Sequence, residues 1–178
     1  MNDFQERLDQ ARAGDERGWQ ALFRLVSGRV VGFLVARGAP DPEAVAGDVF
    51  LDVVRSIRRF DGDERGFIAW VMTITRRRLV DARRASGRRA EDPTDPSDIE
   101  SHDSADVEGE ALGLASAAEA RVLLDHLTPD QADVITLRVY GELTMPEVAR
   151  ELDKPLTAVT SLQKRALDRL RRLLDEPA

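Results

Sequence analysis

The sequence predicts an all-α protein: two small helical domains joined by a flexible acidic linker, the C-terminal one containing a helix-turn-helix. Three observations predict this. Apolar residues recur at steps of three and four along each ordered stretch, helix caps and breakers divide those stretches, and charge is partitioned along the chain. Residues 1–89 hold 17 basic and 13 acidic side chains, residues 90–119 hold ten acids and no base, and residues 120–178 hold nine basic and ten acidic. The net charge of -7 therefore conceals a basic first segment, a polyanionic strip and a near-balanced third segment. The expected boundaries are 1–89, 90–117 and 118–178, and 178 residues suffice for two separate cores.

Taken in order, the first segment reads as helices throughout. Asp15 is a candidate N-cap, and Trp19, Leu22, Phe23, Val26, Val30 and Phe33 follow a helical repeat. "APDPE" at 39–43 breaks the pattern, after which Val45, Val49, Val53 and Ile57 lie four apart on one face. "FDGDERG" at 60–66 is a polar, glycine-containing loop. Beyond it, Phe67, Trp70, Val71 and Ile74 form the apolar side of another helix. At about 100° per residue, Arg76 and Arg83 fall opposite that stripe, about 20° apart, with Arg77 and Arg84 beside them. Arg78 falls near the apolar stripe and is expected to pair with Asp81 three residues on.

From Ala90 to about Glu110 the chain has two prolines, many small polar residues and one large aliphatic side chain. Such a stretch buries too little apolar surface to offset its ordering entropy, which predicts a flexible linker. Order returns with "ASAAEARVLLDHL". Thr128 and Pro129 then open a helix carrying Ala132, Ile135 and Val139. After a turn at Gly141, Thr144 and Glu147 have capping-box spacing, with Pro146 in the first turn. "DKP" at 153–155 is a short turn before a helix with Val159, Leu162, Ala166, Leu170 and Leu173 on one side. A short helix, a tight turn and a longer helix make a helix-turn-helix pattern.

Several function classes are disfavoured. There is no cysteine, so disulfides and thiolate metal sites are excluded. No histidine cluster, glycine-rich phosphate loop or pair of carboxylates in an apolar setting suggests an enzyme, and no metal or cofactor is expected. Met1 to Gln20 has no apolar run of the kind a secretory signal needs, and no stretch reads as a bilayer span. The expectation is a cytoplasmic protein with no membrane insertion.

Together the motifs resemble bacterial RNA polymerase sigma factors of the sigma-70 family, extracytoplasmic-function (ECF) group, over nearly the whole chain. "ARAGDERGWQALF" looks like the family's opening helix, and "DVFLDVVRSIRRFD" like its polymerase-binding helix. "FIAWVMTITRRRLVDARR" is similar to the segment that melts and reads the minus-10 element. "LTPDQADVITLRVYGELTMPEVAREL" with "TAVTSLQKRALDRLRRLL" looks like the region that reads the minus-35 element.

The resemblance implies a non-catalytic initiation factor whose partners are core RNA polymerase, promoter DNA and an anti-sigma factor or other regulator. It assigns Asp48, Phe50, Asp52 and Arg55 to polymerase docking. Phe60, Asp61, Arg76, Arg77, Arg83 and Arg84 would meet the minus-10 element, and Thr157, Thr160, Ser161, Lys164 and Arg165 the minus-35 element. The acidic linker would thread the polymerase cleft. Arginine suits a melted strand because its planar guanidinium both pairs with phosphate and stacks on unpaired bases.

Some positions depart from the family pattern. Arg77 stands where an asparagine is frequent, and Ala44 and Gly47 replace an acid and a glutamine of the docking helix. Asp153 replaces a turn glycine, and Thr160 and Leu162 replace basic residues of the recognition helix. The alternative function is a two-domain helix-turn-helix regulator that binds DNA without the polymerase. A C-terminal segment of net charge -1 disfavours it, because phosphate attraction dominates such binding.

Overall fold

The computed structural model describes residues 3–91 and 107–175. Eight α-helices are present among the described residues: α1 (Asp3–Arg12), α2 (Glu16–Ala36), α3 (Pro42–Ser56), α4 (Glu64–Glu91), α5 (Val107–Leu124), α6 (Pro129–Val139), α7 (Met145–Glu151) and α8 (Leu156–Asp175). One 3-10 turn, Ile57–Arg59, follows α3. The all-α class is as expected.

Local chemistry explains most helix ends. At the α1–α2 corner, Gly14 takes φ of 85°, which is open to glycine without a Cβ penalty. Its N–H bonds to the Ala11 carbonyl, and that of Asp15 to the Gln10 carbonyl. Asp15 then caps α2, its carboxylate accepting from the Arg17 N–H at 2.7 Å. Asp41 caps α3 through the Ala44 N–H, with Pro42 in the first turn. Thr128 and Gln131 form a reciprocal capping box on α6. At α7 the Glu147 carboxylate accepts from the N–H and the hydroxyl of Thr144, at 2.6 and 2.7 Å. The turn into α8 places Asp153 at φ 51°, the left-handed conformation expected where the family has glycine.

The core does not divide as the sequence suggests. A single apolar cluster joins Leu8, Val30, Phe33, Phe67, Val71 and Met72 to Leu137, Leu143, Val148 and Val159. A second cluster joins Ala36 of α2 to Ala117, Leu124 and Leu127, and to Ala132 and Ala166 of α6 and α8. The two helical groups are thus packed face to face. Gly32 permits a close approach, since a Cβ there would lie 2.8 Å from the Tyr140 ring. Tyr140 also meets Phe33 edge-on, with ring centroids 6.2 Å apart.

The stretch expected as linker, 90–117, differs at both ends. Helix α4 runs to Glu91 and α5 begins at Val107, while 92–106 lies outside the described residues. The run "EALGLASAAEA" at 110–120 is rich in Ala, Leu and Glu, which favour helix over coil. Helix α2 is long and apolar enough to cross a bilayer by length and composition, contrary to the sequence expectation. Its Leu22, Val26, Val30, Phe33 and Leu34 are buried in the core, which accounts for that character here.

Candidate nucleic-acid and polymerase interfaces

Helix α4 carries two chemically distinct sides. Phe67, Ile68, Val71, Met72 and Leu79 are buried, and the Thr75 hydroxyl is satisfied by the Val71 carbonyl at 2.9 Å. Phe60 joins this apolar side and is only 8% exposed. Its ring lies 5.4 Å from Phe67 and 5.1 Å from Trp70, and the Arg12 guanidinium donates to its carbonyl. In this conformation the aromatic cluster buries Phe60, the residue expected at the minus-10 element. Asp61 next to it is exposed.

The arginines opposite the stripe lie where periodicity places them, but they do not all face solvent. The Arg76 side chain is only 21% exposed. Its Nε donates to Asp133 Oδ2 at 3.1 Å, and its Nη1 lies 3.6 Å from Glu151 Oε1. Arg77 is largely exposed and reaches the other Glu151 oxygen at 3.6 Å. Arg37, 8% exposed, holds Asp133 from the α2 side at 2.5 Å. Arg83 is exposed but donates to the Arg37 carbonyl, and partial desolvation of its guanidinium with the neighbouring Arg37 charge pushes its pKa down. Arg84 is exposed.

The same polarity repeats along the whole contact. Arg29 meets Glu142 at 2.6 Å and donates to the Tyr140 carbonyl, and Arg65 meets Glu147 at 2.6 Å. Among the described residues, every ion pair between the two helical groups sets an arginine of α2 or α4, or Arg37 directly after α2, against a carboxylate of the 133–151 stretch. Burial pushes the Glu147 carboxyl up. The Thr144 hydrogen bonds and Arg65 together outweigh that and hold it below the usual range.

The expected docking residues lie on α3. Asp48 and Arg55 are exposed, and Phe50 packs on Phe23 with ring centroids 4.7 Å apart. Asp52 is pinned by Arg78, whose Nε and Nη2 reach the same oxygen at 2.6 and 2.5 Å. This corrects the expected Arg78–Asp81 pair. The hydrogen bond to Asp52 is the main cause raising the Arg78 pKa, and Asp81 acts only through its charge. Phe23, expected in the apolar repeat of α2, is instead exposed against Phe50, and sequence reasoning missed the exposed apolar Leu51 and Val54 on α3. Leu51 and Val54 share a three-residue spacing offset from the buried valine row, and that was the available signal.

On α8, Thr157, Thr160, Ser161, Lys164 and Arg165 are all exposed, while Val159 and Ala166 anchor the opposite side. Thr160 and Ser161 donate their hydroxyl hydrogens to the carbonyls four residues back, both at 2.9 Å. Their oxygen lone pairs remain available outward. The structure brings the minus-10 arginines together on α4 and the minus-35 set together on α8, but joins Phe60 to neither. Among the described residues no group of three or more acidic or histidine side chains is arranged to hold a metal ion.

Residues 19–89 match the family profile "Sigma-70 region 2" and residues 123–172 match "Sigma-70, region 4". The chain is 31% identical over 179 residues to the ECF RNA polymerase sigma factor BldN of Streptomyces coelicolor, covering 97% of this chain and 66% of that protein. It is 29% identical over 180 residues to the ECF RNA polymerase sigma factor SigK of Mycobacterium ulcerans, covering 98% of this chain and 95% of that one. In fold it is similar to CnrH, solved with the cytosolic domain of CnrY, at TM-score 0.66 and 23% identity over 99% of this chain and all of that one. It is also similar to the sigma factor RpoE of Bartonella quintana, solved with the anti-sigma factor NepR, at TM-score 0.61 and 18% identity over 89% of this chain and 97% of that one.

Proposed function

Because the chain belongs to the extracytoplasmic-function sigma factors of the sigma-70 family, which are not catalytic, we propose that it binds core RNA polymerase, directs it to specific promoters and assists melting. The observation that carries this reading is the succession of a region 2 match and a region 4 match within one chain, each bearing an exposed face of suitable chemistry. Asp48, Phe50 and Arg55, with the neighbouring Leu51 and Val54, supply a mixed apolar and charged ridge for the polymerase. Asp52 acts through its pair with Arg78, which fixes α3 against α4.

For the minus-10 element, Arg76, Arg77, Arg83 and Arg84 provide phosphate pairing and base stacking for a single strand, while the exposed Asp61 carboxylate accepts hydrogen bonds from base amino groups. For the minus-35 element, α8 would enter the major groove. There Lys164 and Arg165 reach phosphate or guanine, and Thr157, Thr160 and Ser161 accept hydrogen bonds from base amino groups. A protein regulator is the expected further partner, as the anti-sigma factor NepR is in the complex with the RpoE of similar fold. The linker is proposed to insert into the basic polymerase cleft, with the cytoplasm as the place of action.

Run-off transcription with core polymerase from the source organism tests the reading. The expected outcome is transcripts from a defined promoter set that require both core and this chain. Direct promoter binding by the chain alone, with no stimulation of core, would instead support a polymerase-independent regulator.

A further inference from the structure

Only Asp61 and Gly62 separate two well-held points of the chain. On one side Phe60 is held three ways. Its N–H closes the 3-10 turn on the Ile57 carbonyl, its ring packs on Phe67 and Trp70, and its carbonyl accepts from Arg12 Nη2, 48 positions earlier. On the other side Asp63 caps α4, its carboxylate accepting from the Gly66 N–H at 2.7 Å and its carbonyl from the Phe67 N–H at 2.9 Å. Gly62 folds back over the Phe60 ring, where a Cβ would lie 3.0 Å from it. Asp61 is exposed between these points. Arg12 ends α1, which lies outside the region 2 match at 19–89, so an element beyond that match reaches the loop.

From this geometry we infer that Arg12 is a positioning residue for minus-10 selectivity: its hold on the Phe60 carbonyl sets where the Asp61 carboxylate stands against the strand. The inference rests on the reading of Asp61 as a minus-10 contact. The peptide joining Phe60 to Asp61 is planar, so a donor that fixes its carbonyl also fixes the Asp61 nitrogen and the origin of its side chain. A guanidinium suits that task, because its charge strengthens the hydrogen bond. Arg12 is itself oriented, its Nη1 donating to Asp9 Oδ1 at 3.1 Å. An ionised carboxylate only accepts hydrogen bonds. It therefore favours adenine, cytosine or guanine, each with an exocyclic amino group, over thymine, which has none. On a loose loop the carboxylate would pay an ordering cost at each encounter, and a fixed peptide removes it. Holding α1 in place does not need this contact. Phe4, Leu8 and Ala11 already bury that helix in the core, and Arg12 Nε is buried without a hydrogen-bond partner among the described residues. That uncompensated desolvation makes Arg12 a weak contributor to stability.

The test uses holoenzyme and a promoter found by run-off transcription, with each minus-10 position changed in turn to all four bases. Asp61→Ala identifies the position at which Asp61 acts. There the unsubstituted chain should favour amino-bearing bases over thymine by about tenfold, and Asp61→Ala should remove that preference. Arg12→Met keeps the aliphatic stem and loses the donors. It is expected to reduce the preference at that position to about threefold or less, with preferences elsewhere unchanged. Arg12→Lys, which still donates, should restore most of it. A ratio between promoters does not depend on the fraction of active protein. A purely structural role for Arg12 would therefore lower all transcripts together and leave the ratio unmoved. Should Arg12→Met fail to fold, Asp9→Ala carries the same test, since it leaves Arg12 in place and removes the group that orients it. Asp9→Ala is expected to reduce the preference about twofold. An unchanged ratio in folded Arg12→Met, or in Asp9→Ala where the former does not fold, would overturn the positioning role and leave the reading of Asp61 intact. No loss of preference at any position in Asp61→Ala would overturn that reading and the inference with it.

Discussion

Arg76 and Asp133 are joined by a 3.1 Å hydrogen bond from Nε to Oδ2, tying α4, the helix proposed to meet the melted strand, to α6. The bond makes Arg76 unlike the arginine beside it. Arg77→Ala or Arg84→Ala removes a largely exposed side chain and is expected to change stability by about 0.5 kcal/mol or less. Arg76→Ala leaves Asp133 and Glu151 partly buried with fewer partners, and is expected to cost about 1–3 kcal/mol. Urea denaturation of the three variants separates these cases.

Phe60→Ala is expected to cost about 3–5 kcal/mol, because it empties a site between Phe67 and Trp70. Phe60→Leu keeps most of the volume and should cost considerably less. A side chain acting only on DNA would show no such size dependence in the free protein, and thermal melting of both variants reads it directly.

Asp153→Gly is expected to stabilise the chain by about 1 kcal/mol. Asp153 holds φ at 51°, where a Cβ is unfavourable, and its N–H already closes α7 through the Arg150 carbonyl. A rise in melting temperature relative to the unsubstituted chain checks this. A fall would mean that the Asp153 carboxylate contributes more than its backbone costs.

The Glu147 carboxyl lies below its ordinary value of 4.5, held there against burial by Thr144 and Arg65. Its folded pKa is thus below the unfolded one. Its contribution to stability is fully present above the unfolded value and is lost as pH falls through the folded value. Glu147→Gln, still able to cap α7, is expected to lose less stability than the unsubstituted chain when pH is lowered from neutral to below 4.5. Parallel pH-stability curves for the two proteins would contradict this.

Much of the fold was legible because its determinants are local. Asp15, Thr128 and the Thr144–Glu147 pair announce helix starts, and Asp153 marks a left-handed turn without needing a glycine. Helical periodicity also separated the Phe67–Val71 side of α4 from its arginines. Periodicity fixes which way a side chain points from its own helix, however, and not what stands opposite. Asp133 and Glu151 look like ordinary exposed acids in sequence, 57 positions from Arg76 in the first case. For the same reason Arg78 was assigned Asp81, one turn away, while Asp52 on the neighbouring helix lay nearer in space. The burial of the Phe60 ring was not legible either, because the polar loop that follows it masks its packing on Phe67 and Trp70.

The central claim, that the α4 arginines act on a melted promoter strand within the holoenzyme, is tested most directly by permanganate footprinting of unpaired thymines. The footprint would be taken on a promoter found by run-off transcription, with core polymerase and either the unsubstituted chain or the variant with Arg76, Arg77, Arg83 and Arg84 all changed to Ala. Both proteins are expected to assemble with core, and reactive thymines near the start site are expected only with the unsubstituted chain. Equal thymine reactivity with the two proteins at moderate salt would contradict it.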